Sequence, residues 1–333
     1  MSALASLQRG ATAWLAETPR LTVGLLNNMP DAALCATERQ FAGLLAEAAH
    51  GVDIELRLFA LPRVRRGPEA CEHMAGRYER IAALTDGGLD GLIVTGLEPR
   101  APDLEDEAFW PALAQLIDWT QGAGLPTVWS CLAAHAAVLR LSGVRRRPLP
   151  AKLSGVFASE AVSRDPLLAG APATMLSPHS RLNGLAEAEL ADAGYEILTR
   201  SAAAGVDAFV GRGGAGPALF LQGHPEYDAD TLAREYLRDV GRFLKGQRPQ
   251  HPRPPTGYLD AETEGELCAL AAASQAGRGL DRLALYGAVL EHAAPRQTWR
   301  ASAVALYRNW LAELAAAAEG SRWTGRTFAD PAA

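Results

Sequence analysis

No two of the four cysteines (Cys35, Cys71, Cys131 and Cys268) form a CxxC pair, and long stretches separate them. That spacing supports neither a disulfide framework nor a zinc site, and it fits a reducing cytosol. Cys71 and His73 stand close together, but two ligand types alone are a weak metal signal. Long apolar runs are missing too. Met1 to Arg20 has no uninterrupted apolar core and carries Glu17, so it does not read as a signal peptide. No later window approaches a membrane span. The formal net charge is −6 with no block of like charge, which favours neither nucleic acid nor an anionic membrane as a partner. The local clusters Arg65-Arg66 and Arg145-Arg146-Arg147 read as solvated surface, with a CoA-type phosphate as the alternative use.

What is present is an ordinary globular composition, 48% hydrophobic, long enough for one large α/β domain or two smaller ones. Residues 21–26 form a short buried-strand pattern ending in the turn Asn27-Asn28-Met29-Pro30. Helical spacing of Phe41, Leu44, Leu45 and Ala48 follows, predicting a helix over 37–49 that begins near Thr37 and Glu38. Residues 52–59 alternate with period two, as a half-solvated strand does. Residues 92–95 are an apolar strand closed by Gly96, and an amphipathic helix through Phe109, Leu113, Leu116 and Ile117 comes next. Residues 206–210 and 218–222 read as a hairpin around a glycine-rich turn, and 231–244 as a helix with a charged outer face. Residues 260–293 look helical and alanine-rich, and a last helix covers 299–318. Strand and helix alternating in this rhythm imply a doubly wound, mostly parallel sheet flanked by helices. Reactive loops in such sheets gather outside the carboxyl ends of the strands, where Gly96 and Cys131 both fall.

The most informative stretch runs from Leu125 to Leu139. A β-prone run leads to Cys131, and an alanine/leucine helical pattern starts at once. Strand, nucleophile, helix is the order of a nucleophile elbow. The first backbone N–H groups of a helix lack intrahelical partners and carry partial positive charge, so such a site favours a thiolate and can hold an oxyanion. Downstream, Gly223-His224-Pro225-Glu226 closes the strand of the second hairpin arm. An imidazole can take a thiol proton near neutral pH, and a carboxylate can hold it in the useful tautomer.

The motifs Leu26-Asn-Asn-Met-Pro30, Asp90-Gly-Leu-Ile-Val-Thr-Gly96, Lys152-Leu-Ser-Gly-Val156, Pro178-His-Ser-Arg181, Gly223-His-Pro-Glu-Tyr-Asp228, Glu235-Tyr-Leu-Arg-Asp239 and Trp299-Arg300 stand in one order. With them the sequence resembles the homoserine O-acyltransferases of the succinyltransferase type, relatives of the class I glutamine amidotransferases with their flavodoxin-like fold. The similarity runs from about Leu21 to Leu311, interrupted mainly near 256–293. The resemblance implies an amidotransferase-like catalytic domain at 21–245, an N-terminal extension at 1–20, and a helical C-terminal extension at 246–333 packed on the same domain. It further implies that Cys131 is acylated by an acyl-CoA co-substrate, with His224 as base and Glu226 orienting it. Lys152, Ser180 and Arg238 match substrate-contacting positions, and their chemistry suits homoserine, whose carboxylate Arg238 can grip bidentately. The amides of Leu132 and Leu97 are oxyanion-hole candidates. No permanently bound cofactor or metal is implied; a cytoplasmic homodimer acting on small molecules in methionine biosynthesis is.

The sequence also departs from the family pattern. Asp31-Ala32-Ala33 stands where relatives usually carry a lysine soon after Met-Pro, Leu132 replaces a tryptophan and His135 a glutamine. Arg100 aligns with the position that discriminates acyl donors, glycine for succinyl and glutamate for acetyl. An arginine can pair with a succinyl carboxylate, which favours succinyl-CoA over acetyl-CoA. Homoserine O-acetylation, or acylation of serine or another amino alcohol, is the alternative. A glutamine amidotransferase would use the same three residue types, but usually with glycine beside the cysteine and glutamine four residues on, where this chain has Ser130, Leu132 and His135. A non-enzymatic binding protein on the same sheet is a further reading.

Overall fold

The alternation of the central strands decides which helices cover which face. In the computed structural model, which describes residues 20–213 and 216–320, Leu92 and Val94 point into one apolar cluster while Ile93 points into another. Trp129 and Val128 divide in the same way, as do Phe220 and its neighbours Leu219 and Leu221. Side chains alternate across a strand, so a strand covered on both faces is apolar at its centre, as these are, with buried Thr127 and Ser130 only at the ends of the strand that carries Val128 and Trp129.

The elements run β1 (Arg20–Leu26), α1 (Asp31–Ala48), β2 (Asp53–Phe59), α2 (Pro68–Met74), β3 (Gly91–Val94), α3 (Trp110–Ala123), β4 (Thr127–Ser130), α4 (Leu132–Ser142), β5 (Arg147–Ala161), β6 (Thr174–Gly184), α5 (Glu187–Asp192), β7 (Glu196–Ser201), β8 (Gly205–Gly211), β9 (Ala218–Leu221), α6 (Thr231–Leu244), α7 (Ala261–Ala276), α8 (Leu283–Ala293) and α9 (Arg300–Gly320). The strands form one sheet in the order β2-β1-β3-β4-β9-β8-β7-β5-β6. From β2 to β9 the neighbours are parallel, and from β9 to β6 they are antiparallel. This is an α/β fold with an open sheet flanked by helices, and its parallel half brings the carboxyl ends of β1, β3, β4 and β9 to one edge. The β8–β9 hairpin forms as its sequence suggests, although the turn residues 214–215 lie outside the described residues, as does the N-terminal segment before Arg20.

Helices α3 and α4 cover one face through Leu113, Leu116, Ile117, Ala133 and Ala137. Helices α1 and α9 cover the other through Phe41, Leu44, Tyr307 and Trp310. A third cluster, around Tyr236, Phe243, Leu267 and Tyr286, joins α6 to α7 and α8. One boundary differs from the sequence expectation. Helix α1 begins at Asp31, six residues before Thr37, directly after Pro30 at its N-cap. Thr37 is buried in the helix interior. Proline cannot continue a helix backwards, and Asp31 places negative charge in the first turn, so the start is set there and not at the Thr-Glu pair.

Candidate active site

Cys131 makes the whole turn between β4 and α4 by itself. Its N–H donates to Leu221 O at 2.7 Å, the last rung of the ladder with β9. Its carbonyl accepts from Ala134 N at 3.0 Å and His135 N at 3.3 Å, the first turn of α4. One residue that ends a strand ladder and opens a helix must bend sharply, and Cys131 sits at φ 53°, ψ −111°. A non-glycine residue in that region is strained, a state that persists only where the surroundings impose it. Leu132 is the first helical residue, so its N–H has no intrahelical acceptor. Gly96, after β3, lies against it: a Cβ on Gly96 would come within 3.2 Å of Leu132 N. Leu97 is half-buried and packs on the α3–α4 core.

The chain leaving β9 delivers the imidazole. His224 N donates to Pro178 O of β6 at 2.7 Å, and Gly223 is clamped so that a Cβ there would come within 2.7 Å of Asp207 Oδ1. His224 and Glu226 are both buried, and His224 Nδ1 lies 2.8 Å from Glu226 Oε1. That engages Nδ1 and leaves Nε2 as the nitrogen free to meet Cys131, which acts on the ring electrostatically. Burial alone would depress this imidazole. The charges of Cys131 and Glu226 and the hydrogen bond to Glu226 outweigh it, holding the pKa well above the ordinary histidine value. Tyr227 stacks on the ring at a centroid distance of 4.3 Å.

Lys152 and Arg238 converge on a residue to which the sequence reading assigned no role. Asp239, buried on α6, accepts from Lys152 Nζ at 2.8 Å and from Arg238 Nε at 3.1 Å. Lys152 is thus half of an ion pair with Asp239. Ser180 lies two residues beyond Pro178 on β6, opposite Ser154 in register. Arg100 lies in the loop after β3, its side chain exposed and its backbone N–H held by the Glu107 carboxylate.

Residues 6–318 match the family model described as homoserine O-succinyltransferase. The chain is 51% identical over 304 residues to the homoserine O-succinyltransferase of Methylorubrum extorquens, covering 91% of this chain and 90% of that one. It is 48% identical over 299 residues to the homoserine O-succinyltransferase of Rhodopseudomonas palustris, covering 89% and 88%. The chain belongs to the homoserine O-succinyltransferase family. Among solved structures, a glutamine amidotransferase from Methylobacillus flagellatus matches with TM-score 0.50 at 15% identity, covering 93% of this chain and 97% of that one. That likeness places the fold with the class I glutamine amidotransferases.

Three departures from the homoserine O-succinyltransferase pattern acquire a physical reading. His135, where relatives carry glutamine, is fully buried, with Nε2 3.0 Å from Gln222 Oε1. That oxygen also accepts from Leu185 N, and the Gln222 amide nitrogen donates to Val206 O, so His135 Nε2 is the donor. Burial pushes its pKa down to about 4, so the ring stays neutral and supplies one N–H, as a glutamine amide would. It is a packed histidine. Arg66 is not the solvated residue its sequence suggested. It is half-buried and donates to Met29 O at 2.5 Å and Asn27 O at 3.1 Å, and it pairs with Asp31 at 3.1 Å, so a cation stands at the Met-Pro turn after all. Leu132 has its side chain in the α3–α4 core.

Proposed function

We propose that this protein is an acyl-CoA-dependent homoserine O-succinyltransferase that works by a ping-pong mechanism through an acyl-thioester on Cys131. The observation that carries the reading is the alignment of Cys131, His224 and Glu226 at the carboxyl edge of the sheet, in a chain of this family. His224 Nε2 takes the proton of the Cys131 thiol, giving an ion pair of imidazolium and thiolate. The sulfur attacks the thioester carbonyl of succinyl-CoA, and the developing oxyanion lies between the Leu132 and Leu97 amides. Collapse breaks the bond to CoA, whose sulfur takes the proton from His224 Nε2.

Homoserine then enters. Glu226 holds Nδ1–H, so Nε2 is free to accept the hydroxyl proton as the oxygen attacks the acyl carbon. Collapse forms the O-succinyl ester, expels the Cys131 thiolate and restores the ion pair. Arg238, Lys152 and Ser180 receive the amino acid, and Arg100 faces the succinyl carboxylate.

Intact-mass analysis tests each step. Succinyl-CoA should add one succinyl group to the wild type, faster than acetyl-CoA adds acetyl, and homoserine should discharge the adduct faster than serine. Cys131→Ala should accept neither group; turnover by that variant would overturn the mechanism. Faster acetylation than succinylation would overturn the donor assignment.

A further inference from the structure

Beyond Arg238, the basic side chains continue along one stripe of α6 and past its end. Buried Asp239 anchors four cations: Lys152 and Arg238, as above, with Arg248 Nη1 at 3.5 Å and Arg242 Nη1 at 4.0 Å. Residues 238, 242 and 245 follow the i, i+4, i+7 spacing of one helix face. Lys245 is exposed at the C-cap. Exposed Arg278 closes the stripe, its guanidinium 4.2 Å over the Phe243 ring and its Nη2 donating to Pro249 O at 3.1 Å. Among the described residues neither Lys245 nor Arg278 pairs with a carboxylate. The stripe's other carboxylate partners are Glu235, 3.6 Å from Arg238, and Glu98, 3.0 Å from Arg242.

Six cations therefore face three carboxylates, in a chain whose formal net charge is −6. The stripe begins beside the base: Tyr227 stacks on His224 and its hydroxyl donates to Glu235 Oε1 at 3.3 Å, and Glu235 faces Arg238. An amino-acid carboxylate is one negative charge, and Lys152 and Arg238 suffice for it. The surplus lies further along, where that carboxylate does not reach.

We infer that Arg242, Lys245, Arg248 and Arg278 bind the phosphate groups of the CoA moiety, with the pantetheine arm running from Cys131 along α6. A CoA thioester carries several phosphates at the far end of a long neutral arm, which matches both the sign and the placement of this charge. Guanidinium groups grip phosphate oxygens through paired N–H donors, and partly exposed cations attract a polyanion to the mouth of a site. The inference rests on the acyl-CoA reading above.

The test compares succinyl-CoA with the succinyl thioester of N-acetylcysteamine, which has the reacting group and no phosphate. Lys245→Glu/Arg278→Glu changes two exposed cations and leaves the Asp239 cluster intact, and Arg248→Met removes a third; unfolding midpoints check that each variant folds. In each, kcat/KM for succinyl-CoA should fall about tenfold relative to the truncated thioester. Adenosine 3′,5′-bisphosphate should compete with succinyl-CoA in the wild type, less well as salt is raised. Equal losses on both thioesters, or no competition by the bisphosphate, would overturn the phosphate site and leave acyl transfer standing. If neither thioester acylates Cys131, both readings fall.

Discussion

At the residue scale, His224 carries the electrostatics of the site. Its pKa is raised because Cys131 and Glu226 together outweigh the penalty of burial. The sign follows directly. A raised folded pKa keeps the imidazolium at pH values where a free histidine is neutral, and its stabilising contribution is present below about pH 6.5 and lost as pH rises through the folded value. Removing either partner removes a cause of the rise. The His224 imidazole, followed by NMR titration, should therefore titrate above free histidine in the wild type and at lower pH in Cys131→Ala and in Glu226→Gln. A midpoint unmoved by Cys131→Ala would show that the sulfur and the ring do not interact. The His-Pro-Glu motif was legible as three neighbouring residues after an apolar strand, but not its shape: the segment closes a turn, Tyr227 N donating to His224 O at 3.2 Å, where the spacing suggested extended backbone. The convergence of Lys152 and Arg238 on Asp239 was not, because 87 residues separate Lys152 from Asp239 and only folding sets them 2.8 Å apart.

At the element scale, the β4–α4 junction trades stability for reach. With no residue between strand and helix except Cys131, the turn falls on a backbone conformation suited to glycine. Cys131→Gly should relieve that strain, offset in part by glycine's greater freedom in the unfolded chain, for a net gain of about 1 kcal/mol. The same variant should form no acyl adduct. Urea unfolding of Cys131→Gly beside Cys131→Ala measures the difference, and equal stabilities would mean that the turn is not strained. The elbow itself was legible from an apolar run meeting a helical pattern. The strain was not, since no residue type announces φ 53° at a cysteine. The start of α1 shows the opposite error: a Thr-Glu pair imitates a cap, but Pro30 and the buried face of Asp31–Ala48 decide the boundary.

At the scale of the whole molecule, the C-terminal helices are bound into the core and the site. Helix α9 lies so close to β3 that a Cβ on Gly91 would stand 2.7 Å from Leu314 and 2.9 Å from Trp310. Just before it, Gln297 Nε2 and Trp299 Nε1 donate to Tyr227 O at 2.5 and 3.0 Å, holding the residue that stacks on His224. A chain ending before Gln297 should lose cooperative unfolding in urea, because the part of that face of β1, β3 and β4 that α9 covers beside α1 would be exposed. Trp299→Ala, opening a cavity at a fully buried side chain, should cost about 3–5 kcal/mol and slow acylation of Cys131. A truncated chain that unfolds cooperatively and acylates at the full rate would refute this coupling. The sequence by itself determined the central strands, the elbow and the His-Pro-Glu segment, because strand and helix periodicity and a short motif are written in neighbouring residues. Only the tertiary structure decided that the sheet continues antiparallel from β8 to β6, that Arg66 is half-buried at the Met-Pro turn, that Asp239 gathers the cations and that α9 completes the core. Each of those depends on groups far apart in the chain, and the free energy that joins them, from apolar burial and from pairing charges out of water, exists only once the chain has closed on itself.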